Sequence, residues 1–194
     1  LEHQDFLIKP EGFNIPYDAE RIHGISTQLA STKGLLLVDV LAKFNDVLAK
    51  SKFVVGQNVG FDINILGCEY DRFKIQTLLN DLPVLDTCTE KTASLCKLPG
   101  GRGGKFKLPK LTELHQHLFN ESFAEAHNAT ADVEATSRCF LELIRLGFYS
   151  SKELQSSPEY LEKFKIENIN PIVSLGLTHI NLKNEAKVLS ELLK

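Results

Sequence analysis

The stretch Phe53-Val54-Val55-Gly56-Gln57-Asn58-Val59-Gly60-Phe61-Asp62-Ile63-Asn64-Ile65-Leu66 changes its hydrophobic period part-way along. Its first four residues form a brief β-type run, and from Phe61 to Tyr70 helical spacing takes over, with Asn58 placed to cap the helix. This is a strand-turn-helix unit. Upstream, Leu37, Val40, Leu41, Phe44, Val47 and Leu48 recur at helical intervals and predict one amphipathic helix. Before it, Gln4 to Pro10 predicts a short strand closed by proline, and Glu11 to Pro16 a turn. Downstream, Leu82 to Asp86 predicts another strand, followed by a weak helix and the glycine-rich stretch Pro99 to Lys105. From Ala129 to about Gly147 a long helix is expected, with Val133, Thr136, Cys139, Phe140, Leu143 and Ile144 on its inner side. Alternating β and α elements predict a layered α/β domain.

The chain has 194 residues, enough for one well-cored domain with an appendage. The boundary falls near the serines Ser150, Ser151, Ser156 and Ser157, giving a domain over 1–149 and a helical extension over 150–194. In that extension Val188, Leu189, Leu192 and Leu193 are expected to pack on the chain's own domain. With 43% hydrophobic and 24% charged residues the composition is that of an ordinary globular protein, and no apolar run approaches the ~20 residues of a membrane span. A net charge of −3 supplies no global field for nucleic acid, so phosphate contact requires a local patch or bound metal. The four cysteines show no zinc-type spacing and fit a reducing cytoplasm.

Asp132 continues the apolar stripe of the last long helix, and Asp62 lies in the first turn of its helix just past the end of a strand. A carboxylate facing the interior costs several kcal/mol unless a cation or hydrogen bonds offset it. The carboxyl end of strands in an open α/β sheet is also where ligands gather. His127 lies five residues before Asp132, outside the helix start, within reach of the same pocket. Histidine, whose unperturbed pKa is near neutrality, is the residue type suited to a general base. Arg102, Lys105, Lys107 and Lys110 are expected on a solvated loop; Phe106 after Lys105 breaks the phosphate-cradling P-loop pattern. His115 and His117 are expected at the surface of a short helix.

Three blocks together carry a resemblance: His23-Gly24-Ile25, then Asn58-Val59-Gly60-Phe61-Asp62, then His127-Asn128-Ala129-Thr130-Ala131-Asp132. The second matches N-x-x-F-D and the third H-x-A-x-x-D, so residues 4 to 149 resemble the epsilon-type (DnaQ-like, DEDDh) 3′ to 5′ exonucleases. The resemblance implies a ribonuclease H-like three-layer fold around a mixed sheet. It also implies that Asp62 and Asp132 are metal ligands for two divalent ions, Mg²⁺ or Mn²⁺, and that His127 takes a proton from, or orients, the attacking water. Asn58, Phe61, His23 and Ile25 would border the terminal nucleotide. The implied substrate is the 3′ end of single-stranded DNA, the product nucleoside 5′-monophosphates, and the implied partners the core subunits of DNA polymerase III.

The sequence departs from that family at the Asp-x-Glu pair of the first strand. Asp18-Ala19-Glu20 follows Pro16-Tyr17 in a turn, and Asp86-Thr87 has no carboxylate two residues on. The chain opens at Leu1 without any methionine, so the expectation is that an upstream segment carries the first strands and their acids. These residues alone are then expected to fold poorly and to be nearly inactive. An RNA-trimming exonuclease is the alternative within enzymes, and a non-catalytic module for nucleic-acid binding or assembly the alternative outside them.

Overall fold

A computed structural model describes residues 2–122, 129–172, 175 and 178–180. In chain order the elements are β1 (Glu2–Gln4), α1 (Tyr17–His23), α2 (Thr27–Lys33), α3 (Leu37–Leu48), β2 (Val54–Gly56), α4 (Gly60–Arg72), β3 (Val84–Asp86), α5 (Glu90–Cys96), α6 (Leu111–Phe119), α7 (Ala129–Arg145), α8 (Pro158–Glu167) and β4 (Thr178–Ile180). A 3₁₀ turn at Arg102–Gly104 lies in the glycine-rich stretch.

The strand-turn-helix unit is present as β2 and α4, and the chain returns through α4 to lay β3 parallel to β2, with Val54 opposite Val84 and Gly56 opposite Asp86. Because successive strand residues face opposite sides, Val54 and Val55 enter different cores. Val54 packs with Leu41, Leu48, Tyr70 and Leu79 beneath α3 and α4, where the Tyr70 hydroxyl donates to the Leu41 carbonyl at 3.0 Å. Val55 packs with Leu85, Phe140, Ile144, Leu154 and Leu161 beneath α7 and α8. The result is helix, sheet, helix in three layers. A third cluster of Leu114, Cys139 and Leu143 joins α5 and α6 to α7.

Several details differ from the sequence expectations. The strand expected over Gln4 to Pro10 is confined to β1 and a single parallel bridge between Ile8 and Leu35; β1 pairs with β4, so the extension carries a strand as well as a helix. Glu11 to Pro16 is free of helix, as expected, but the short helices α1 and α2 follow it, and α1 takes up Asp18-Ala19-Glu20, which the sequence placed in a turn. Gly24 ends α1 in the left-handed conformation (φ 73°), and Ser26 caps α2 by accepting from the Leu29 amide at 3.1 Å.

On α7, Val133 is 55% exposed, whereas Arg138 and Glu142 are buried. The charged pair is tolerated because it is bonded: Arg138 reaches Glu121 at 2.7 Å and the Ile172 carbonyl at 3.2 Å, and Glu142 accepts from Arg145 at 2.9 Å and from the Ile172 amide at 3.2 Å. His115 is fully buried, contrary to expectation, while its neighbour His117 is exposed. Its ring lies 4.8 Å from Phe119, and Nδ1 bonds the Glu121 carbonyl at 3.0 Å. Val188, Leu189, Leu192 and Leu193 lie outside the described residues. No described helix is long and apolar enough to cross a membrane.

Candidate active site

The carboxyl ends of β2 and β3 lie side by side, and the chain turns tightly after each. At Gly56 a side chain has no room: an added Cβ would stand 2.6 Å from the Val59 Cβ. Asn58 then adopts a left-handed conformation (φ 56°), which asparagine tolerates better than most residues. Its side chain does not cap α4, as the sequence suggested. Asp86, across the ladder from Gly56, takes that role. Asp86 Oδ1 accepts from the Asn58 amide at 2.8 Å and the Cys88 amide at 2.7 Å, and Oδ2 accepts from the Val59 amide at 3.1 Å. Behind it, the half-buried Tyr149 hydroxyl donates to the Asp86 carbonyl at 3.2 Å. Burial, then the charges of Asp86 and Glu153, push that phenol up to about 12.

Asp62 stands in the first turn of α4, exposed and beside Asp86. Partial desolvation, and secondarily the Asp86 carboxylate, raise its carboxyl above the ordinary value; a hydrogen bond from its own amide pulls the other way. Phe61 is 64% exposed on the same turn, and its amide donates to the Asn58 carbonyl at 3.1 Å. The structure thus brings together Asn58, Phe61 and Asp62, with Asp86 as the residue sequence reasoning passed over. A signal for Asp86 did exist: it is a carboxylate at the carboxyl end of an apolar strand.

Asp132 is half-buried in the first turn of α7, the helix packed on β2, and no ion pair reaches it among the described residues. His127 lies outside the described residues. His23 and Ile25 form a turn after α1, where the exposed His23 accepts from the Ile25 amide through Nδ1 at 3.0 Å. The hydrogen bond described there stays within the turn, so the structure does not tie it to Asp62. The basic loop closes on itself: Lys107 pairs with Glu113 at 2.6 Å, Lys105 pairs with Glu90, and the Lys107 amide donates to the Leu98 carbonyl. Two of its four cations are therefore already offset.

Residues 1–140 match the Exonuclease family, RNase T. The chain belongs to the exonuclease family. Comparison with curated proteins returns no match. Membership makes the domain ribonuclease H-like, as its α/β layers show, and places the exonuclease among nucleases of the DEDD superfamily, hydrolases that use divalent metal ions.

The residues present fit such an ion in part. Asp62 and Asp132 are hard oxygen donors that no described ion pair offsets, and a cation beside Asp62 would relieve its proximity to Asp86. Among the described residues, however, no three His, Cys, Asp or Glu side chains cluster closely enough to hold a metal.

Proposed function

We propose that the exonuclease removes nucleotides one at a time from the 3′ end of single-stranded DNA, in the proofreading manner, releasing nucleoside 5′-monophosphates. The observation that supports this most is the position of Asp62, a carboxylate with no ion-pair partner among the described residues, on the turn at the carboxyl ends of two parallel strands. Asp62 and Asp132 hold divalent ions, Mg²⁺ or Mn²⁺. When bound, such ions stabilise the attacking and leaving oxygens of the displacement. His127 accepts the proton of the attacking water, and the exposed ring of Phe61 offers a face against which a terminal base stacks. Asn58, His23 and Ile25 are assigned to the border of the terminal nucleotide on the family resemblance alone.

Asp62 and Asp132 are two donors of a larger set, which family members complete with an Asp-x-Glu pair. Weak turnover is therefore expected from these residues alone, and metal binding is the more decisive readout. Mn²⁺ titrated into the chain should bind, and Asp62→Asn should abolish binding. A 3′-labelled single-stranded oligonucleotide, in DNA and RNA forms, should lose its label only with metal present, and the DNA form faster. Label loss from an internal cut, or cleavage unaffected by chelator, would overturn the assignment. The short donor set among the described residues favours one second reading, a non-catalytic nucleic-acid-binding module. That reading gains if the oligonucleotide binds and Mn²⁺ does not.

A further inference from the structure

We propose that Asp86 is a positioning residue for the Asp62 carboxylate, acting through the turn between β2 and α4. The proposal rests on the reading of Asp62 as a metal ligand. Three backbone amides, those of Asn58, Val59 and Cys88, converge on one side chain from two separate turns. The amides of Asn58 and Val59 precede the first helical turn and have no intrahelical acceptor, so an external carboxylate decides where that turn sits. Val59 is held from both sides: its amide by Asp86, and its carbonyl by the Ile63 amide at 2.9 Å, which begins the α4 ladder. Asp62 lies within that first turn, so its direction follows from the anchored Val59.

The register of the strands explains why Asp86 can do this. Gly56 and Asp86 are opposite each other in a parallel pair, and the bare Cα of Gly56 lets Val59 fold back over the strand end. Asn58 sits in the left-handed region at the crest of the turn, a conformation asparagine reaches at lower cost than most non-glycine residues. Both oxygens of Asp86 are used by amides. The carboxylate therefore acts as a brace whose charge also lies beside the Asp62 site, without needing to touch a bound ion. Removing one oxygen's acceptor capacity and the charge, while keeping the shape, isolates this role.

The test uses Mn²⁺ as probe with two readouts besides turnover. By calorimetric titration, Asp62→Asn should lose Mn²⁺ binding and Asp86→Asn should weaken it about tenfold, with an unchanged circular dichroism spectrum. In the unsubstituted chain, saturating Mn²⁺ should slow hydrogen exchange at the Asn58 and Val59 amides, because a turn that favours the ion is favoured by it in return. This second measurement decides the matter if Asp86→Asn does not fold. Unchanged Mn²⁺ affinity in a folded Asp86→Asn, or unaltered exchange at both amides, would overturn the positioning role while Asp62→Asn still supports the metal site. If Asp62→Asn binds Mn²⁺ as the unsubstituted chain does, the metal reading falls and this proposal with it.

Discussion

His115 illustrates what burial does to a single ionisable group. Its ring is sealed between α6 and α7, bonded to the Glu121 carbonyl and near the Arg138 guanidinium, which itself lies 4.4 Å over the Phe119 ring. Desolvation is the main influence lowering its pKa from 6.5; Arg138 adds to the shift, and the carbonyl and carboxylate of Glu121 oppose it. The unfolded chain therefore takes up a proton that the native ring resists. Stability contributed by the neutral ring is present above about pH 6.5 and falls as the pH drops below it. In thermal melts at about pH 7.5 and about pH 5, His115→Leu should show a smaller loss of melting temperature than the unsubstituted chain. An equal loss in both would show that the ring titrates as if exposed. Its burial was not legible in Leu114-His115-Gln116-His117, because nothing local distinguishes an inward histidine from an outward one two places on. Asp86 could be noticed as a carboxylate at a strand end, but its bracing role was illegible for a related reason: the amides it serves at Asn58 and Val59 are 28 and 27 residues away, and backbone donors leave no mark in sequence.

At the scale of elements, length determined what could be foreseen. The spacing that predicts α3 runs over 12 residues and that of α7 over 17, enough turns for a periodic face to stand out; α1 and α2 have seven each. Even α7 shows a limit. Its buried face includes Arg138 and Glu142, charged residues whose partners lie outside the helix in the 121 and 169–172 regions or one turn along it. Arg145 joins them by donating to the Ile169 carbonyl at 3.2 Å. These bonds fasten the chain after α8 to the middle of α7. Glu142→Ala would leave the Arg145 charge and the Ile172 amide without their acceptor, at a cost of about 3 kcal/mol in urea unfolding. A change below about 0.5 kcal/mol, the level of an ordinary surface substitution, would show that the fastening is not structural.

For the whole molecule, a layered α/β plan was legible from the alternation of strand and helix, and its three layers were what the family resemblance implied. Of the three blocks behind the family resemblance, the structure places Asn58 to Asp62 at a strand end, His23 to Ile25 at the end of α1 and Asp132 in the first turn of α7, while His127 lies outside the described residues. The relation of the extension to the domain was not legible from the serine-rich boundary. Leu154 and Leu161 share one apolar cluster with Leu85, Phe140 and Ile144, so part of the extension contributes to the core beneath β3. Leu161→Ala should lower stability by about 2 to 4 kcal/mol and shift the unfolding of the entire chain as one transition. Two separate transitions, with only the smaller one moved, would mean that the extension folds independently.

The bond from Tyr149 to the Asp86 carbonyl has an optical consequence. The chain contains no tryptophan and four tyrosines, so its ultraviolet emission is tyrosine emission. Tyr17 and Tyr160 face solvent, whereas Tyr149 is fastened to the same residue that holds the turn before Asp62. Any reshaping of that end of the sheet alters the surroundings of a native fluorophore, and the protein carries a built-in reporter on its own site without a dye.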